Sequence, residues 1–502
     1  MLPKGLRGPF KPMRFEATVE DCIVSHGEIP ADLNGGFYRN GPTWRRPSRQ
    51  GLDAAFALDG MVQALILRDG RAHFRNRWVR TPKYLAEERA GRALFEWSDG
   101  DFGDWRSWGL GEVVRDEFTT GVPQGTNAVN VVPFAGEILA LGEQGSPPVA
   151  LDPVTLETKG IVGWSTALSP GLVPPACFGD AAFTAHPKWD AATGELYGWT
   201  YRDTEPYVTL HWVRPDGSVR SRHLENAPYA TVAHDMWLSE RYVVLPFMPF
   251  HISKDRIAKD LPIWGWDPEL PVMVALVPRH DLTGPVRWIT AGFEAQYVMH
   301  TLSANHVGGT PGGSGVSPGK LVLDGPIFDR PPFMFDDRYR PGDANVPFFK
   351  LARSAFGRWT VDLATGAMAS EIVDDNPCEL PKVDERYYGR PYEWGFLVGG
   401  QRKEEGMRMD TLVRRNVRTG AEERWLVSDD VHTAVFEATF VPRSGDAPEG
   451  DGYLIVPVCR FGQGTSEFQI FDTADITAGP ITRVELPFQI GWTPHGHWMA
   501  FS

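Results

Sequence analysis

The sequence is poor in cysteine, in unbroken apolar runs, in helical periodicity and in net positive charge, and each shortage excludes something. Its four cysteines, Cys22, Cys177, Cys378 and Cys459, lie far apart with no CxxC among them. That argues against a disulfide framework or a thiolate metal site and for free thiols in a reducing compartment. No run of 18 apolar residues occurs, so no helix is expected to span a membrane. The opening stretch MLPKGLRGPFKPMRFEATVEDC has no apolar signal core, and the expectation is a soluble, cytoplasmic protein. With 50 Lys and Arg against 64 Asp and Glu, the formal charge is −14. A nucleic-acid partner needs clustered cations and is not expected. Attachment to anionic lipid gains nothing from this charge either. The apolar residues of 83–110 leave peripheral contact with a membrane as a partner reading, and oligomeric state is not legible.

What is abundant is turn-former and aromatic. The 502 residues include 53 Gly, 42 Pro and 18 Trp. Short β-rich runs recur between turns: EILALGE (137–143), ELYGWTYR (195–202), YVTLHWVR (207–214), RYVVLPF (241–247), VMVALVP (272–278), KLVLDG (320–325), RWTVDL (358–363), DTLVRRNV (410–417), YLIVPV (453–458) and EFQIFD (467–472). Between them, Asp190–Gly194, Asp362–Gly366, Asn416–Gly420 and Arg214–Gly217 read as hairpin turns. An Asx side chain can cap the turn backbone, and Gly takes positive φ. The spacing is irregular and gives no clean repeat. An all-β chain of degenerate propeller blades is the expectation, a sandwich array the runner-up. One helix is predicted over Lys83–Trp97, opened by Pro82. Long insertions at 98–125, 163–182, 248–271 and 302–350 interrupt the strands. No linker divides the chain, so residues 1–502 are expected to form a single domain.

Thirteen histidines are present. His26, His73, His211 and His223 have ordinary surroundings. His186, His234, His300 and His495 stand in distinctive contexts: FTAHPKWD, TVAHDMWL, QYVMHTLS and TPHGHW. They are separated by 48, 66 and 195 residues, with no local zinc-type spacing. A site shared by them must be assembled from different blades. Four neutral imidazoles suit Fe, Zn, Cu or Ni, and in an octahedral complex leave two positions open. Metal-bound histidines donate their other ring N–H to a carboxylate or carbonyl. Glu143, Glu379 and Glu437, each in an apolar setting, are the candidates for that role.

These segments together resemble the carotenoid cleavage oxygenase superfamily. The matching pieces are GEIPADLNGGFYRNGP (27–42), LDGMVQAL (58–65), RWVRTPKYLAEERAGRALF (77–95), residues 125–158, TAHPKWDAATGEL, AHDMWLSERYVVLPFMPF, FEATFVPRSGDAPEGDGYLIVPV and the terminal HGHW. They follow one order over nearly the whole chain. The resemblance implies a seven-bladed β-propeller with a helix and loop dome over one face, the dome drawn from about 83–125, 248–271 and 302–350. It implies an Fe(II) dioxygenase held by His186, His234, His300 and His495, with Glu143, Glu379 and Glu437 behind them. His306 and His497 are the rivals to His300 and His495. The third motif departs from the family, with Ser303 where Asn is usual. The implied reaction is O₂-dependent cleavage of an alkene C=C into two carbonyl products. The implied partners are O₂ and a small apolar alkene, either a carotenoid or apocarotenoid or a stilbenoid or phenylpropenoid. Several segments, RIAKDLPIWGWDPEL (256–270) among them, are similar to the bacterial lignostilbene- and isoeugenol-cleaving branch. That branch carries Lys, which binds the substrate phenol, where this chain has Gly142. Trp97, Phe102, Trp105 and Trp108 are candidates for the mouth of a substrate tunnel. The alternatives are a lactonase-like propeller hydrolase, whose Ca²⁺ site would need oxygen ligands, and a non-catalytic binder of an apolar ligand.

Overall fold

The alternating apolar runs form seven sheets of four or more strands, the blades of a β-propeller, in a computed structural model. It describes residues 8–43, 45–46, 58–97, 110–112, 118, 122, 125–143, 146–168, 182–202, 204–257, 259, 264–308, 319–332, 352–400, 402–403 and 406–501. Cys177, Phe102, Trp105 and Trp108 lie outside the described residues.

Each blade is an antiparallel meander. Blade II runs Asn130–Phe134, Glu137–Leu141, Val149–Leu151 and Thr158–Ile161. Blade III begins at Lys188–Trp189, blade IV at Trp237–Leu238, blade V at Ser303–Val307 and blade VI at Cys378–Val383. The ring closes through both chain ends. The last strand, His495–Ala500, pairs with Gly35–Thr43 to complete blade I. Ile23–Gly27 pairs with Thr482–Leu486 on the far edge of blade VII. Two seams of backbone hydrogen bonds thus join the termini and cover strand edges that would otherwise be open.

The turns form where Asx and Gly predicted them. Gly194, Gly366 and Gly420 have φ of 70°, 78° and 76°. Their N–H groups donate to the carbonyls of Asp190, Asp362 and Asn416 at 2.7, 2.8 and 2.9 Å. A fourth copy, Asp152–Leu156, has Leu at φ 60° where the others have Gly, so it escaped the pattern. The turn joins strands three and four in blades II, V and VI but strands one and two in blade III. That shift removes any fixed period from the sequence.

The aromatics fill the spaces between blades. Trp199, Trp212, Trp237 and Trp359 are all fully buried in one core running through blades III to VI. Two indoles also carry structure across blades: Trp199 Nε1 donates to Ala233 O at 2.7 Å, and Trp237 Nε1 to Asp324 O at 2.9 Å.

Two expectations need correction. The helix is Pro82–Ala90, shorter than 83–97. Thr81 caps it through the Tyr84 N–H and Gly91 ends it at φ 70°; Glu87 then takes the Leu94 and Phe95 N–H groups, so Phe95–Trp97 continues as a strand. The insertion placed at 302–350 contains two blade V strands, Ser303–Val307 and Lys320–Phe328. Residues 309–318 and 333–351 lie outside the described residues. Within 248–271, Phe250–Ile252 pairs with Trp264–Trp266 as a small ribbon.

Candidate metal centre

The four histidines singled out in the sequence occupy equivalent places: His186, His234 and His300 lie two or three residues before the first strands of blades III, IV and V, and His495 opens the first strand of blade I. The preceding backbone is held by a neighbouring blade in at least two cases. Asn130 of blade II donates to Ala185 O at 2.8 Å, and Trp199 of blade III to Ala233 O at 2.7 Å. His495 lies opposite Asn40 in its ladder, and Gly496 N–H donates to Glu437 Oε1 at 2.9 Å.

This placement brings the rings together. Ring centroids lie 4.4 Å apart for His186–His234, 4.5 Å for His186–His495, 4.6 Å for His300–His495, 5.0 Å for His186–His300 and 5.1 Å for His234–His300. Nitrogens of His186, His234 and His300 all lie within 4.8 Å of one another. All four residues are buried.

The three glutamates stand behind three of the rings. His234 Nδ1 is 3.0 Å from Glu143 Oε2, His300 Nδ1 2.7 Å from Glu379 Oε2, and His495 Nδ1 2.8 Å from Glu437 Oε2. Glu379 and Glu437 hydrogen-bond Nδ1 of His300 and His495 and so assign Nε2 to the centre, and His234 Nε2 lies 3.3 Å from His300 Nε2. The carboxylates are themselves held. Tyr201 donates to Glu143 Oε1 at 3.0 Å, the Leu380 N–H to Glu379, and Lys382 Nζ lies 3.4 Å from Glu437 Oε1. Among the described residues no carboxylate pairs with His186, and its Nε2 is buried without a hydrogen-bond partner.

Burial, reinforced by the neighbouring imidazoles, holds His186 well below the ordinary histidine value. Burial also pushes His495 down to about 3. Both are therefore neutral at pH 7, as metal ligation requires. For His300, burial is outweighed by the Glu379 charge, and the net shift is upward. Burial would raise Glu437, but Lys382 and His495 hold it at about 2, so it is ionised. An orphaned ring nitrogen converging with carboxylate-backed imidazoles is a donor set that fits a divalent transition metal.

The rivals lie elsewhere or face other partners. His306 meets Arg241 at 2.9 Å and Ser239 Oγ at 3.2 Å. His497 Nδ1 turns to Glu385 at 2.9 Å. His211 is sandwiched between Thr200 Oγ1 at 3.0 Å and Ser221 Oγ at 2.8 Å. A Cβ on Gly142 would stand 2.8 Å from Ser146 Oγ and 3.3 Å from Asn127 N, so this position has no room for a side chain unless Ser146 shifts.

Apart from His497, weighed as a rival to His495, sequence reading passed over the far wall of the site. A cavity beside the histidines, about 20 Å³ and so large enough for about one water, is lined by His186, His300 and His495 together with Lys188, Asp235, Thr301, Lys382, Tyr388 and His497. Lys188 and Asp235 stand inside the motifs that flagged His186 and His234, so the signal was present but carried no role.

Comparison with known proteins agrees with this architecture over its full length. Residues 10–500 match the family described as retinal pigment epithelial membrane protein, RPE65. A lignostilbene-α,β-dioxygenase isozyme III of Sphingomonas paucimobilis is 31% identical, covering 99% of this chain and 97% of that protein. An isoeugenol monooxygenase of Pseudomonas nitroreducens is 29% identical, covering 98% and 97%. The crystal structure of Pseudomonas brassicacearum lignostilbene dioxygenase superposes with a TM-score of 0.83 at 31% identity, covering 100% of both chains. With a family match spanning nearly every residue, this chain belongs to the RPE65/carotenoid oxygenase family of enzymes.

Proposed function

We propose that the protein is an Fe(II)-dependent oxygenase that cleaves an aryl-substituted alkene, of stilbenoid or phenylpropenoid type, into two carbonyl products. One C=C and one O₂ are consumed and two C=O groups form, so the atoms balance without a further reductant. The observation that carries the reading is the buried, unpartnered Nε2 of His186 beside three imidazoles backed by glutamate. His186, His234, His300 and His495 would hold the metal. When bound, ferrous iron supplies the redox capacity to activate O₂, which side chains lack.

The protein's part is placement. Glu143, Glu379 and Glu437 fix the ring tautomers and bring negative charge close to the centre. The lactonase-like reading loses support here, because the set offers ring nitrogens where Ca²⁺ takes oxygens. The aryl-alkene class is supported by the lignostilbene and isoeugenol activities of relatives that align over the whole chain. A second reading has its own observation: Gly142 offers no side chain where the phenol-binding Lys would stand, which favours a substrate not anchored there by a phenol, either a non-phenolic aryl alkene or a polyene.

The test is elemental analysis of protein purified without oxygen or chelator, then turnover with a stilbene, a phenylpropenoid and an apocarotenoid under ¹⁸O₂. About one iron per chain and labelled aldehyde products from an aryl alkene are expected. Calcium, or no metal after Fe(II) addition, overturns the metal assignment. Turnover of the polyene alone overturns the substrate class, and turnover of 4-hydroxy aromatics alone overturns the argument from Gly142.

A further inference from the structure

The three histidine-bearing segments of blades III, IV and V are tied to one another by a single polar network. Lys188 follows His186 by two residues, Asp235 follows His234 by one, and Thr301 follows His300 by one. Lys188 Nζ lies 2.9 Å from Asp235 Oδ1 and 3.1 Å from Oδ2. Asp235 Oδ2 accepts the Thr301 N–H at 2.7 Å and lies 3.0 Å from Thr301 Oγ1. That hydroxyl also approaches Met236 O at 2.7 Å, and the Met236 N–H donates to Asp235 Oδ1 at 2.7 Å. All three side chains line the cavity with His186 and His300.

The glutamates cannot do this work. Glu143 and Glu379 each fix the orientation of one ring. They do not set the distance from one histidine's backbone to the next, and blades III, IV and V are separate sheets. A metal site must be held to within about 0.5 Å to bind tightly. A buried carboxylate taking donors from both neighbouring segments supplies that constraint, because each contact is charge-assisted and screened from water.

We propose that Lys188, Asp235 and Thr301 are positioning residues: a clamp that sets the separation of His186, His234 and His300 and thereby the affinity and coordination geometry of the metal. The inference rests on the reading of those histidines as ligands.

Co(II) is the probe, because its visible absorption reports coordination geometry without turnover. Its affinity is measured by chelator competition in Asp235→Asn, Thr301→Val and Thr301→Ser, with circular dichroism of the metal-free proteins as the check on folding. Asp235→Asn keeps the shape but loses the charge that Lys188 requires. It should weaken Co(II) binding by about 10–100-fold, the usual cost of losing such an outer partner, and shift the Co(II) bands. Thr301→Val should weaken binding less, and Thr301→Ser should restore it. If Asp235→Asn fails to fold, the Thr301 pair carries the test alone. Wild-type affinity and unshifted bands in the folded variants overturn the clamp, as does Thr301→Ser binding no better than Thr301→Val. Wild-type protein that binds no Co(II), or His234→Ala that binds it equally well, overturns the ligand reading instead, so the two failures are distinguishable.

Discussion

Two buried polar clusters in this molecule look alike by composition and differ in what their atoms lack. At the base of the helix, Lys83 Nζ meets Asp59 Oδ1 and Glu87 Oε2, each at 2.9 Å, with all three side chains nearly inaccessible. The remaining oxygens are occupied too: Asp59 Oδ2 accepts from the Arg45 N–H, and Glu87 Oε1 from Leu94 and Phe95. That cluster is complete within itself, and it fastens the helix to blade I. At the centre of the propeller the set is incomplete: His186 Nε2 and Glu379 Oε1 are both buried without a hydrogen-bond partner. Leaving a buried polar atom unmade costs about 1–3 kcal/mol. A fold tolerates that where a guest completes the set. That incompleteness supports the reading of the central cluster, and not of the helix cluster, as a binding site.

The contrast is sharpest in its largest consequence. His234→Ala should reduce bound metal from about one per chain to near zero and abolish turnover, while the fold persists by circular dichroism. Retained metal with full activity would remove His234 from the ligand set. Lys83→Met should do the opposite. It leaves two buried carboxylates without their cation, a loss of about 3–5 kcal/mol by analogy with other broken buried pairs, read as a lowered urea midpoint. Metal content per folded chain should stay at the wild-type value. A folded Lys83→Met protein that cannot bind metal would erase the distinction drawn between the clusters. A smaller effect follows from completing the centre. Metal at 100 times its dissociation constant should stabilise the protein by about 2.7 kcal/mol, and His186→Ala should lose most of that gain. Equal stabilisation of both proteins would mean that the ion binds elsewhere.

Much of the fold is legible in the sequence alone. The strand runs and Asx–Gly turns appear where they were expected because both signals are local: alternation of side chains, and a glycine that alone relaxes at positive φ. The four histidines were legible through the motifs around them and the family those motifs resemble, since residues 48 to 195 positions apart carry no spacing signal of their own. What escaped was non-local or masked by a substitution. Leu156 hid the fourth turn by standing at φ 60° in place of Gly. The helix reads on to Trp97 by periodicity, and only the Gly91 cap with the capture of the Leu94 and Phe95 N–H groups by Glu87 stops it. The wall of Lys188, Asp235 and Thr301 stayed unread because its meaning lies in contacts between blades, which a single segment cannot express.

The smallest prediction uses a histidine that is buried but not part of the centre. His211 has both ring nitrogens within hydrogen-bond distance of hydroxyls, Thr200 Oγ1 and Ser221 Oγ, and burial pushes it down to about 3 from an ordinary 6.5. The folded state therefore prefers the neutral ring more strongly than the unfolded state does. The sign follows from linkage: the unfolded chain binds the extra proton first, so the contribution is fully present above pH 6.5 and is lost as pH falls toward about 3. One protonation difference gives a slope of about 1.4 kcal/mol per pH unit within that window. Replacing His211 with Gln should flatten the metal-free protein's acid-side stability profile by about that slope, at some cost in stability at pH 7, and leave metal content unchanged. If the slope persists, the acid sensitivity belongs to other groups; if metal is lost with it, the separation of satisfied from unsatisfied histidines fails at its most direct point of comparison.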